Sequence, residues 1–453
     1  MKKLLKFTGL FILLLLIVAI IPVLLPDEDY STGAKEWLDS ARSPATIAED
    51  KNRFNALVGF YAAKDEDILV TGAKLVKEAN TKTTGFMQSS THAFKHNEYW
   101  EKPPLTVTDN LSELYYDFNQ DNSIQWLTEN TDLYKSLIND NRVLLDRYKK
   151  LIQINDFSYT LKPSINSPFI SYSGLVTIMK LDNLSIIHDY TSGNVQSAFK
   201  RLQNSIIFSK LMMQQSPNLL HKMIAVNFLN TYLNSTSLLL NQKELPDDFT
   251  ISNLSLNERS LLKAFQGEFT SMSDVLYMDN PAGTYGMSES FTESLLTRTL
   301  YSYLKPRKME NRAYKELWLP YLAQQDKTLA KRKDNNISSE LLDISWWDMY
   351  QDPVGYVLSS IAMPSYFSYI DRIDHVDAKI SLISIKYKII NEKIEKDKIH
   401  DYLSSLNIVI NPGYQGASIS WNADKHLLHF IIPDFNQKQD AVELDKSPVV
   451  SIN

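Results

Sequence analysis

LLHKMIAVNFLNTYLNSTSLLLNQ, residues 219–242, is the stretch whose reading decides the fold. Leu219, Met223, Val226, Leu229, Leu233, Thr236 and Leu240 follow one another at steps of four, three, three, four, three and four. That spacing keeps one side of an α-helix apolar along its whole length. Just upstream, 195–215 carries Val195, Phe199, Leu202, Ile206 and Met213 on a similar stripe, and 175–190 reads as a third helix. The breaks between them, Ser192-Gly193-Asn194 and Ser216-Pro217-Asn218, are so short that each helix must turn back against the one before it. The result is a stack of helical hairpins with the shape of tetratricopeptide-type arrays. It has no 34-residue period and none of that family's signature, so the array is irregular.

Working outward, the periodicity predicts helices over 43–63, with Pro44 at the first helical position, and after Asp65-Glu66-Asp67. It predicts further helices over 131–154, 256–278, 289–303, 310–333, 354–361 and 376–395. Glycine is scarce, 13 in 453 residues, which suits a helical chain. Near the end the pattern changes to alternation. Segments 417–421 and 427–432 flank an Asn422–Lys425 turn and read as a β-hairpin. The expected class is mainly α: an N-terminal transmembrane helix, an irregular array of antiparallel amphipathic helices and a small C-terminal β-hairpin.

The transmembrane expectation comes from MKKLLKFTGLFILLLLIVAIIPVLLPDEDY, residues 1–30. Residues 7–25 lack any charge, and 19 residues at 1.5 Å each cover about 28 Å, close to the hydrocarbon thickness of a bilayer. A cleaved signal would have small residues just after its apolar core; here the core runs into Ile20, Ile21, Pro22, Val23, Leu24, Leu25 and Pro26. A retained anchor is therefore expected over 1–26, with the lipid bilayer as partner through residues 7–25. A polar tether over 27–42 follows, then a body over 43–435 that divides near 245 if it divides at all, and a loose tail over 436–453. Lys2, Lys3 and Lys6 keep the N-terminus on the cytoplasmic side and send the body across, to the periplasmic face of a bacterial inner membrane.

A net charge of −6 gives no reason to expect nucleic acid as a partner. With no cysteine, disulfides, thiolate metal sites and Cys nucleophiles are excluded, and the body depends on its core. The motifs of serine hydrolases, zinc proteases, phosphate-binding loops and dinucleotide folds are also missing, so no cofactor is implied.

Several stretches together resemble a group of large Gram-negative bacterial envelope proteins with one N-terminal anchor, a helical periplasmic body and no assigned chemistry. They are Phe54-Asn55-Ala56-Leu57-Val58-Gly59-Phe60, Leu144-Leu145-Asp146-Arg147-Tyr148 and Leu219-Leu220-His221-Lys222-Met223-Ile224-Ala225. Asp352-Pro353-Val354-Gly355, 411–416 and Trp421-Asn422-Ala423 complete the set. What the resemblance implies is location and architecture rather than activity.

The residues left to carry chemistry are few. Asp371, Asp374 and Asp377 recur every three residues around His375, which suits either a raised-pKa acid in catalysis or acids at a helix start. Asn227, Asn230 and Asn234 form an amide stripe beside the apolar face of 219–242, suited to sugar hydroxyls or to a neighbouring helix. Trp346, Trp347 and Tyr350, followed by Tyr356, Tyr366, Phe367 and Tyr369, suit glycan stacking, a protein partner, the membrane interface or plain core packing. His92 and His96 share a helical face without an evident third ligand, so no metal site is expected. Lys305-Pro306-Arg307-Lys308 and Lys331-Arg332-Lys333 suit anionic headgroups or a solvated face. Two functions compete on these grounds. One is a membrane-anchored helical scaffold with an envelope protein partner. The other is a carboxylate-dependent enzyme or binder of cell-envelope glycans.

Overall fold

The computed structural model describes residues 2–43, 46–82, 123–161, 170, 172–242, 246, 249–276, 303–334, 346–355, 367–406, 412–431 and 449–452. These are mainly helical, with one small antiparallel sheet close to the C-terminus. The hairpin array lies at the centre. Helix α8 (Tyr172–Thr191) turns into α9 (Val195–Gln215) through Gly193, whose φ of +88° is a left-handed conformation that favours glycine. Helix α9 turns into α10 (Leu219–Leu240) through Pro217-Asn218, and Asn218 Oδ1 accepts from His221 N at 2.8 Å as the N-cap. Helix α17 (Phe367–Asn391) packs along α10 from the other side.

Helix α10 buries more than the single stripe expected. Of its apolar residues only Leu220 is strongly exposed, while His221, Tyr232 and Ser235 are buried on its other faces and Lys222 and Thr236 on the stripe itself. Enclosed between α8, α9 and α17, it has almost no solvent face to give its polar residues, so they must find partners inside. Tyr232 Oη lies 2.9 Å from Tyr148 Oη, and Lys386 Nζ of α17 donates to Ser237 O at 2.5 Å.

The same solution recurs at other buried cations, each meeting backbone carbonyls left open where a helix or turn ends. Arg147 donates to Phe60 O and Ala62 O, at 3.1 and 2.6 Å. Arg53 donates to Ile154 O at 2.7 Å and stacks over Phe208. Lys222 reaches three carbonyls at once: Met213 O, Glu258 O and Ser260 O at 2.7, 2.5 and 3.0 Å. In a chain without disulfides these cations tie distant segments together.

Around the centre, α1 (Lys2–Leu24) and α2 (Thr32–Arg42) open the chain, followed by the short α3 (Arg53–Val58) and α4 (Ile68–Lys82). Helices α3 and α4 cross so closely that a Cβ on Gly72 would meet Asn55 O at 1.8 Å. Helices α5 (Ser123–Glu129), α6 (Thr131–Asp140) and α7 (Arg142–Gln153) lead into the array. Beyond it come α11 (Leu256–Arg259), α12 (Leu262–Leu276), α13 (Pro306–Arg312), α14 (Leu319–Ala323), α15 (Leu329–Asp334), α16 (Trp346–Gln351) and, after α17, α18 (Ile399–Ser405).

Several boundaries differ from those predicted. The helix over 131–154 splits at Asn141, whose side-chain amide donates to Leu137 O at 2.9 Å and competes with the backbone ladder. The helix over 256–278 breaks at Ser260-Leu261, and the helix over 310–333 begins earlier and passes through a π-turn at Ala313–Trp318, just before Pro320. The helix over 43–63 is reduced to α3 and a short 3₁₀ turn, while that over 376–395 starts at Phe367. Segment 289–302 and most of 354–361 lie outside the described residues.

Two termini are corrected outright. The supposed tether contains α2, whose Ala34, Trp37 and Leu38 are buried, with Trp37 edge-on to Tyr314 at 5.1 Å and Phe269 at 5.9 Å. Three apolar residues at helical spacing suffice for docking although charged residues surround them. The supposed loose tail supplies a third strand. β1 (Ser418–Asn422) and β2 (Leu427–Ile431) form the expected hairpin, and β3 (Val449–Ser451) pairs antiparallel with β2, placing Val450 opposite Leu428. Val450 and Ile452 are both buried.

Among the described residues no helix is long and apolar enough to cross a membrane. The transmembrane helix expected over 1–26 is therefore not shown by these residues.

Candidate functional site

The three-residue spacing of Asp371, Asp374 and Asp377 on α17 puts them on one side of that helix, and two arginines meet them there. Arg259 stands at the end of α11, a single turn closed by a capping box between Ser255 and Glu258. Arg332 comes from α15 and is 3% exposed, so the basic run 331–333 is not wholly a solvated or headgroup-facing one. Asp374 accepts from Arg259 Nη2 at 2.9 Å through one oxygen and from Arg332 Nη2 through the other. Arg332 also donates to Asp371 at 2.6 Å, and Asp377 accepts from Leu254 N at 2.7 Å, with Arg259 Nε 4.0 Å away. Burial raises the Asp371 carboxyl above the usual carboxylate range, against the pull of Arg332. Gly413 closes over the cluster so tightly that a Cβ there would stand 2.2 Å from Asp374 Oδ2.

A cavity of about 250 Å³ adjoins the cluster, lined by Arg259, Ser260, Leu322, Gln325, Ile373 and Asp374. It is smaller than ordinary ligand sites of roughly 300–1,000 Å³. Of the three acids only Asp374 lines it, and both oxygens of Asp374 are held by guanidinium groups. Glycoside hydrolysis needs one carboxyl able to give up a proton and a second facing it across the substrate. The arrangement instead joins α11, α15 and α17.

The amide stripe is divided. Asn230 and Asn234 accept hydrogen bonds from Lys379 Nζ of α17, while Asn227 is exposed. Burial pushes the Lys379 ammonium down to about 8. Two of the three amides thus join helices.

The aromatic group sits beside the start of the chain. Trp346 and Trp347 are 72% and 45% exposed, Trp347 stacks on Tyr350 at 5.5 Å, and Tyr350 Oη donates to Val18 O of α1 at 2.5 Å. Next to it the exit of α1 is fastened to α13. Lys305 Nζ donates to Leu25 O at 2.5 Å, and Asp27 accepts from Arg307 N and Lys308 N at 2.9 and 3.1 Å. A carboxylate at the first turn of α13 is favourable for its open N–H groups. Asn311 continues the join by donating to Glu28 Oε1 at 2.7 Å and accepting from Ser31 N at 2.8 Å.

Tyr356, Tyr366, His92 and His96 and the side chain of Phe367 lie outside the described residues. Among the described residues no group of three or more His, Asp or Glu is placed to hold a metal ion. Sequence reasoning missed Arg259 and Arg332 as partners of the acids, and Asp27 as the cap of a helix near residue 306; no local pattern marks pairings over such separations. Comparison with known proteins finds no matching family model, no matching curated protein and no matching solved structure.

Proposed function

We propose that this chain is a membrane-anchored helical scaffold of the bacterial cell envelope. In this reading α1 spans the inner membrane, the body is periplasmic, and a second envelope protein is the partner. The observation that carries the reading is the surface of α1. Phe7, Leu10, Phe11, Ile12, Leu13, Leu14, Leu15, Ile17, Val18, Ile20, Ile21 and Leu24 are all exposed large apolar side chains, covering every face of the helix rather than one stripe. A helix apolar all round belongs in a core or in lipid, and among the described residues no core covers this one.

The scaffold role is favoured over the glycan-acting alternative by the arginine-held carboxylates and the small cavity beside them. Membranes from cells making the full chain would be washed with alkaline carbonate, and intact spheroplasts treated with protease. Retention in the pellet together with digestion of the body is the expected result. Release by carbonate, or a body protected until the membrane is broken, refutes the placement. Crosslinking in intact cells then tests the scaffold role: an adduct with an envelope protein is expected, and its consistent absence counts against a partner.

A further inference from the structure

Pro22 lies inside α1 and has no N–H, so the carbonyl four residues earlier, Val18 O, lacks its usual helical donor. The hydroxyl of Tyr350 supplies one at 2.5 Å. An open carbonyl is costly in lipid and is met there by neighbouring side chains. Val18 is seven residues before Leu25, about 10 Å along the helix. If α1 is an anchor ending near Leu25, Tyr350 is thereby fixed at the depth where interfacial helices bury their apolar side, about 5–10 Å below the boundary.

The helix that carries Tyr350 is built to be held there. Asp352, fully buried, accepts from Lys305 N and Gly355 N at 3.0 and 3.1 Å and from Arg312 at 3.2 Å, which fixes the turn after α16 to α13. Lys308 Nζ donates to Gln351 at the end of α16. From this rigid base Trp346, Trp347 and Met349 face outward, 72%, 45% and 44% exposed. Tryptophan and tyrosine favour the headgroup level, where an apolar ring and a polar edge are both satisfied.

We infer that α16 is a second, shallow bilayer contact: Tyr350 docks it on the proline-freed carbonyl of the anchor, and Trp346, Trp347 and Met349 enter the interface of the leaflet facing the body. The inference rests on the anchor reading and deepens it. The body is then held to the membrane surface in one orientation.

The cysteine-free chain allows a direct test with single nitroxide labels in the full-length protein, reconstituted into vesicles of phosphatidylethanolamine and phosphatidylglycerol. Leu14→Cys reports on the anchor, Met349→Cys on α16, and Lys396→Cys, at an exposed site of the body, on bulk water. Relaxation by oxygen exceeding that by a water-soluble nickel chelate is expected at 14 and 349, with the reverse at 396. Tyr350→Phe or Pro22→Ala should each increase nickel access at 349 and leave 14 unchanged, and the two together should add little beyond either. A lipid signal at 14 with a water signal at 349 overturns this inference alone. A water signal at 14 overturns the anchor as well. An unchanged signal at 349 in Tyr350→Phe overturns the hydroxyl-to-carbonyl docking.

Discussion

Replacing Lys222 with Met isolates what a buried cation does for this fold. The side chain is wholly buried, and its ammonium donates to Met213 O, Glu258 O and Ser260 O. Burial pushes its pKa from 10.5 down to about 7. The folded value is below the unfolded one, so between about pH 7 and 10.5 the unfolded chain holds a proton that the folded chain has released. Stability therefore rises with pH across that window, and the penalty for the charge is full below it. At about 1.4 kcal/mol per pH unit the whole effect is at most about 5 kcal/mol, of which about 2 falls between pH 7 and 9. Three carbonyls favour the ammonium, which has one more N–H than the amine, and this keeps the effect below that ceiling. The assay is chemical unfolding of the full chain in mild detergent at pH 7 and pH 9, for wild type and Lys222→Met. The difference between the two proteins should shift by about 1–2 kcal/mol in favour of wild type at pH 9, because other titrating groups cancel. A difference that stays flat, or moves the other way, refutes the reasoning.

Arg332→Met leaves Asp374 buried with one guanidinium fewer and should cost about 3–5 kcal/mol in the same unfolding assay, whereas Lys331→Met on the exposed side of α15 should cost under about 0.5. Gly413→Ala drives a methyl into Asp374 and Arg332 and should cost about 1–3 kcal/mol, measured the same way. Val450→Asp puts a carboxylate under β2 and should speed hydrogen exchange of the Leu428 and Phe430 amides while leaving α10 protected; unchanged exchange would show that β3 does not hold the sheet.

The central hairpins were legible because their signal is local. Val195–Gln215 is the range predicted for α9, and α10 starts at the predicted Leu219, since short turns with Gly193 and Pro217 leave few alternatives. The hairpin of β1 and β2 was legible for the same reason. What stayed hidden depends on partners far along the chain. Trp37 in α2 reads as a lone aromatic among charges until Phe269 and Tyr314 are brought to it. Asp371, Asp374 and Asp377 read as a repelling acidic cluster because Arg259 lies more than a hundred residues away. Lys222 and Arg53 look like ordinary surface cations, because the carbonyls that receive them exist only once the helices have ended in place.

The join between Ser31 and Asn311 also sets an order of events during synthesis. Its two halves are 280 residues apart, so at about 5–20 residues per second the first waits roughly 15 to 55 s for the second to be made. For most of that interval Trp37 has no Phe269 or Tyr314 to cover it. The opening segment is thus sticky for most of translation, and a holding chaperone is the helper this topology calls for.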